Sequence, residues 1–155
     1  MANRTSDGRK LADVMTKNPA VVREQEGLQK AAKLMVEHDC GSIPVVGDDN
    51  RLRGMITDRD IVIRTVAEGK NPLEGKVSEI MSGKVFFVKE NESIDRVLRI
   101  MAERQVRRVP VVNQKDEVIG IVAQADVALE LDNDRKVGDT VERISEPEGR
   151  ERAGR

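Results

Sequence analysis

Apolar positions recur with a helical period at two places in the chain. Leu28, Ala31, Ala32 and Met35 stand at i, i+3, i+4 and i+7, and Ile94, Val97, Leu98 and Met101 repeat the spacing. Each set predicts an amphipathic helix with one apolar face. The second helix is expected over residues 93–105, with Ser93 as its N-cap, a better cap than Gly27 at the first. After each helix comes a short, continuous apolar run with proline near its start, residues 43–46 and 109–112, which suits a buried strand. A polar turn (GDDNR in the first case) leads into strands over 52–56 and 118–122. Further helices are expected over 58–69, stopped by Gly69, and over 124–131. Shorter elements complete the pattern: a helical turn at 11–16, broken by Asn18-Pro19, and strands at 20–22 and 85–88. Val137, Val141 and Ile144 have the spacing of one more short helix.

These elements are one pattern stated twice. Gly54 and Gly120, Asp60 and Asp126, Pro44 and Pro110, and Met15 and Met81 are each 66 residues apart, so residues 13–64 lie over 79–130 without a gap. SIPVV aligns with RVPVV, and GMITDRDI (residues 54–61) with GIVAQADV (residues 120–127). A constant offset over that length marks an internal duplication. Strands alternate with helices, so the fold class is α/β. Each half has about three short strands and two helices, too little to bury a core alone, so the halves are expected to pack as a pseudo-twofold pair. The expected organisation is a flexible N-terminus (1–10), a first repeat (11–69), a linker (70–76) punctuated by Pro72 and Gly75, a second repeat (77–131), and a short helix with a disordered tail (132–155).

Composition narrows the functional classes. The 155 residues carry balanced charge, with a formal net charge of −1, and Phe86 and Phe87 are the only aromatics. Balanced charge and few aromatics argue against a nucleic-acid binder. The polar start and the lack of a long apolar run argue against a signal or membrane span, and a single cysteine, Cys40, permits no intrachain disulfide. The expectation is a cytoplasmic protein.

Few residues could carry chemistry. Thr57 and Asp60 sit where a strand ends and a helix begins. Such a site can bind an anion through free backbone N–H groups, and an acid one turn in can accept ribose hydroxyls. The same residues also spell a capping box, which closes a helix for its own sake. In the second copy Ala123 removes the hydroxyl while Asp126 stays, which shifts the balance modestly away from a purely reciprocal cap. Arg107 and Arg108 precede the second buried strand, where the first copy has Gly41 and Ser42. The pair is either available to a phosphate or part of a solvated loop. His38 and Cys40 lack a third donor at usable spacing, so a surface histidine and a small buried thiol are the simpler reading, and no metal is expected. The nucleophile elbow, Walker loop and dinucleotide-binding glycine pattern of common enzymes are absent from the sequence, so no enzyme is expected.

Two copies of a helix, an h-P-V-V strand, a turn, and a G-h-h-T-x-x-D-h strand-to-helix junction resemble a tandem pair of CBS (cystathionine-β-synthase-type) domains over about residues 11–131. Residues 38–64 together with QVRRVPVV resemble small stand-alone bacterial pairs of the hypoxic response protein 1 type. Ala123, at the hydroxyl position, is the departure from that pattern. The resemblance implies a regulatory module that binds AMP, ADP, ATP or S-adenosylmethionine in two clefts between the repeats, with no required cofactor. It also implies a homodimer and a protein target of unknown identity. By that resemblance one cleft takes Asp60 as ribose acceptor with Met55, Thr57, Ser82, Phe87 and Val106, and with Arg107 and Arg108 on the phosphates. The second, expected to be weaker or to take a less charged ligand, combines Ile121 and Asp126 with Thr16, Val21, Cys40, Gly41 and Ser42. The alternative is a ligand-free, stress-type dimeric scaffold or a protein-interaction module.

Overall fold

The computed structural model describes residues 10–130. The expected helix over 137–144 and both chain ends lie outside these residues. The elements run α1 (Leu11–Val14), β1 (Thr16–Lys17), β2 (Val22–Arg23), α2 (Leu28–Glu37), β3 (Ser42–Val46), β4 (Leu52–Thr57) and α3 (Asp58–Arg64). After a 3-10 turn (Val66–Glu68) come α4 (Val77–Ile80), β5 (Val88–Lys89), α5 (Ile94–Arg104), β6 (Arg108–Val112), β7 (Val118–Ala123) and α6 (Gln124–Glu130). Helices and strands alternate as the periodicity predicts, and the second half repeats the order of the first except for β1, whose counterpart at Ser82 is a single bridge.

Each half builds a small sheet, and each sheet borrows an edge from the other half. In the first sheet β2 runs parallel to β3, and β3 antiparallel to β4. In the second, β5 runs parallel to β6, and β6 antiparallel to β7. The outer edge of β7 is then covered by β1, with Thr16 opposite Ile121. The mirror exchange occurs at Ser82, whose backbone pairs with Met55 through N–H to O bonds of 2.9 and 3.1 Å. Ser82 is the register equivalent of Thr16, so the lead-in segments are swapped between repeats.

The cores follow the same exchange. Leu11 and Val14 of α1 are buried with Val97, Met101, Val109 and Val122 of the second repeat. Val77 and Ile80 of α4 are buried with Leu28, Met35, Ile43 and Ile56 of the first. Burying a leucine or valine fully is worth about 1.5–3 kcal/mol. Neither repeat closes its core without two such residues from the other. A third cluster, Val46, Val112 and Val118, joins the two sheets at their turns. There Leu52 N–H donates to the Asp116 carbonyl at 3.0 Å, and Val118 N–H to the Asn50 carbonyl at 3.2 Å. Each of these four residues maps onto another by the 66-residue offset, which is the signature of a pseudo-twofold.

Three local expectations are corrected. The helix expected over 58–69 ends at Arg64, where the buried Thr65 turns its hydroxyl onto the Ile61 carbonyl and competes with the helical bond there. One 3-10 turn follows, and Gly69, with φ of 72°, ends it in the left-handed region. The strands expected at 20–22 and 85–88 shift to Val22–Arg23 and Val88–Lys89, the residues that reach a parallel partner. On α2, Leu28, Ala31 and Met35 are buried but Ala32 is exposed, whereas its counterpart Leu98 on α5 is only 7% exposed. No helix among the described residues is long and apolar enough to cross a membrane.

Candidate functional site

Each repeat ends its last sheet strand at a helix start that carries an acid. In the first, Thr57 Oγ1 accepts from Asp60 N–H and Asp60 Oδ2 accepts from Thr57 N–H, both at 3.0 Å. The capping box is complete. Asp60 Oδ1 lies 3.9 Å from Arg64 Nε, and Arg64 Nη1 donates to the Ile80 carbonyl at 3.0 Å, tying α3 to the end of α4. In the second repeat Asp126 Oδ2 accepts from Ala123 N–H at 3.1 Å without any hydroxyl in return. The acid therefore caps its helix alone, and its survival beside Ala123 has a structural explanation. Asp126 Oδ1 has no protein donor among the described residues.

The β-pairing fixes what stands beside these acids. Ser42 lies opposite Thr57, and Asp58 N–H donates to the Gly41 carbonyl at 3.0 Å. In the same way Arg108 lies opposite Ala123, and Gln124 N–H donates to the Arg107 carbonyl at 2.8 Å. Arg107 is exposed and Arg108 half-buried. Among the described residues neither guanidinium has an ion-pair or hydrogen-bond partner. Two cations with no protein counterpart at the joint between the repeats are available to an anion.

A cavity of about 240 Å³ opens between the repeats. Four residues expected in the second cleft, Thr16, Cys40, Ser42 and Ile121, line it, while Val21, Gly41 and Asp126 stand outside the lining. Arg108, expected in the Asp60 cleft, also lines it. Sequence reasoning missed Asn18, Pro19, Ala20, His38, Ile43 and Pro44 on its walls. Thr16 and Ser42 offer hydroxyls, Pro44, Ile43 and Ile121 apolar surface, and Arg108 a positive charge.

On the Asp60 side, Met55 and Ser82 are held together by their backbone pairing. Phe87 is 40% exposed, and Val106 packs partly buried against the second core. The repeat offset carries Ala20 to Phe86 and His38 to Arg104. Arg104 stacks over the Phe86 ring, 4.7 Å from its centroid. Phe86 under Arg104 thus stands where the other cleft has Ala20 and His38. The signal for Arg104 was in the sequence, as the residue 66 positions after His38, but neither residue matched a motif.

The CBS-domain family model matches residues 11–65 and 77–133. Hypoxic response protein 1 of Mycobacterium tuberculosis (strain ATCC 25618 / H37Rv) is 44% identical over 119 residues, which are 77% of this chain and 82% of that protein. The crystal structure of Hypoxic Response Protein I, which has two coordinated zinc ions, is 43% identical with a TM-score of 0.73, covering 79% of this chain and 99% of that one. Among the described residues of this chain no group of three or more His, Cys, Asp or Glu side chains is placed to hold a metal ion. A CBS domain pair in complex with 5-methylthioadenosine and S-adenosyl-L-methionine is 28% identical with a TM-score of 0.68, over 78% of this chain and 98% of that one. CBSX2 in complex with AMP is 26% identical with a TM-score of 0.67, over 79% of this chain and 95% of that one. With both repeats matched and the fold reproduced, the chain belongs to the CBS-domain family and is a tandem CBS pair.

Proposed function

We propose that this chain is a cytoplasmic regulatory module that binds an adenine nucleotide between its repeats and so senses energy or stress state. It performs no catalysis of its own. The observation that carries the reading is the chemistry at the joint: apolar walls from both repeats, hydroxyls of Thr16 and Ser42 from the first, and from the second Arg108, unpartnered among the described residues. A nucleotide presents the complement, a flat apolar base, a sugar with hydroxyls and an anionic phosphate. Two similar CBS pairs, solved with AMP and with S-adenosyl-L-methionine, support the ligand class.

In this reading the first cleft uses Asp60 Oδ1 for the ribose, with Met55, Thr57 and Ser82 beside it. Arg107 and Arg108 meet the phosphates, and Phe87 and Val106 flank the base. Asp126 has the equivalent role in the second cleft. The test is a thermal shift with AMP, ADP, ATP, S-adenosylmethionine and an NAD control. A ligand at a hundred times its dissociation constant stabilises by about 2.7 kcal/mol, roughly 5–10 °C at this size. The shift is expected with at least one adenosine ligand and is lost in Asp60→Ala. An unmoved melting temperature across the panel contradicts the nucleotide reading.

A second reading, a dimeric scaffold, has its own observation. Val36 is 83% exposed on α2 and Val62 56% on α3, and with Ala32 they line an open groove of about 700 Å³. An apolar strip of this kind suits a homodimer interface between two copies of the first repeat. Val36→Glu with Val62→Glu is expected to halve the mass measured by light scattering. A wild type that is already monomeric contradicts the dimer.

A further inference from the structure

Ser42 and Arg108 both line the cavity between the repeats. They stand 66 positions apart, which is the repeat offset. The pseudo-twofold that exchanges the repeats therefore exchanges these two residues with each other. Other lining residues are carried away to the opposite cleft: Thr16 to Ser82, Ile121 to Met55, Ala20 to Phe86 and His38 to Arg104. A pair that maps onto itself straddles the axis, so the starts of β3 and β6 meet between the clefts. The chain has serine on one side of the axis and arginine on the other.

We propose that Arg108 is one phosphate-reading group shared by both clefts, so that a phosphorylated ligand in one cleft excludes or weakens a second in the other. This rests on the nucleotide reading above and adds a regulation to it. Arg108 is half-buried, and its guanidinium has no protein partner among the described residues that would hold it to one side. Its counterpart Ser42 brings no charge. Arg107 does not line the cavity, and Arg104 is stacked on Phe86. A phosphate held on one side of the axis both withdraws the guanidinium from the other side and repels a second phosphate there. A ligand without phosphate needs neither, so a nucleoside is left unaffected by this competition.

Calorimetric titration with AMP and adenosine, on the full chain, tests the sharing. Wild type is expected to bind AMP about tenfold or more tightly than adenosine, since a charged hydrogen-bonding partner is gained. A second AMP is expected to bind at least about tenfold more weakly than the first. Arg108→Ser should cut the preference for AMP over adenosine severalfold, to what Arg107 alone supplies. The double variant Ser42→Arg/Arg108→Ser moves the arginine across the axis and should restore the preference for AMP. An arginine needed only for the local structure of β6 would not be rescued from position 42. Two equal AMP sites in wild type, an AMP preference unchanged in Arg108→Ser, or failure of the double variant to recover it overturns the sharing while leaving nucleotide binding intact. Wild-type protein that binds neither probe overturns the nucleotide reading itself, and the sharing with it.

Discussion

The two clefts have the same backbone and different chemistry. Both are framed by a swapped lead-in segment, a proline-containing strand and a helix that starts over an acid. One has Ala20 and His38 on its wall; the other has Phe86 under Arg104 at the same register. One helix start has a full capping box, and the other has the acid alone. Duplication thus preserved the frame, which both cores need, and left the lining free to diverge. The frame says that two sites are available; only the lining says what each accepts.

The exchange of lead-in segments is the part of the frame most open to attack. Leu11 belongs to the first repeat in sequence and to the second in space. Leu11→Ala should destabilise by about 3 kcal/mol, in the range of buried leucine truncations. Hydrogen exchange should show protection lost first in α5, β6 and β7, and not in α2 and β3. Loss confined to the first repeat would refute the exchange.

Glycine tests the two crossings against each other. A Cβ on Gly54 would run into the backbone carbonyl of Ser82, the group that pairs with Met55. A Cβ on Gly120 would meet the flexible side chain of Met15 instead. Gly54→Ala is therefore expected to cost about 2–3 kcal/mol in urea denaturation, and Gly120→Ala about 1 kcal/mol. Equal costs would mean that the crossings are equally tight.

Much of this frame was legible in the sequence. The constant offset gave both repeats, and the helical period placed α5 to within a residue at each end and the start of α2 after Gly27. What was not legible has a physical cause in each case. The partners of Leu11 and Val14 are decided by the packing of the whole pair, and four residues of α1 carry no sign of which core they enter. The break of α3 at Thr65 comes from a hydroxyl bond that leaves apolar spacing untouched. Ala32 has the period of a core residue yet is exposed, beside the likewise exposed Val36 and Val62. At the candidate site, motif and charge singled out Thr57, Asp60 and the arginine pair, of which Arg108 lines the cavity. They could not find His38 or Arg104, whose place depends on which residues the twofold brings face to face.

The helix caps sharpen the comparison with the smallest effect. Thr57→Ala should cost about 1 kcal/mol, because it removes the hydroxyl that accepts from Asp60 N–H. Ala123→Thr should return a few tenths of a kcal/mol or more by completing the box around Asp126. Thermal melts of both variants, run side by side, would reveal whether the second cap lacks only its hydroxyl.

Calorimetric titration of AMP into wild type, Asp60→Ala and Asp126→Ala tests the central claim most directly. The account predicts a saturable heat in wild type, loss of the tighter site in Asp60→Ala, and retention of that site in Asp126→Ala. Identical titrations in all three proteins, or no binding in any of them, would contradict it.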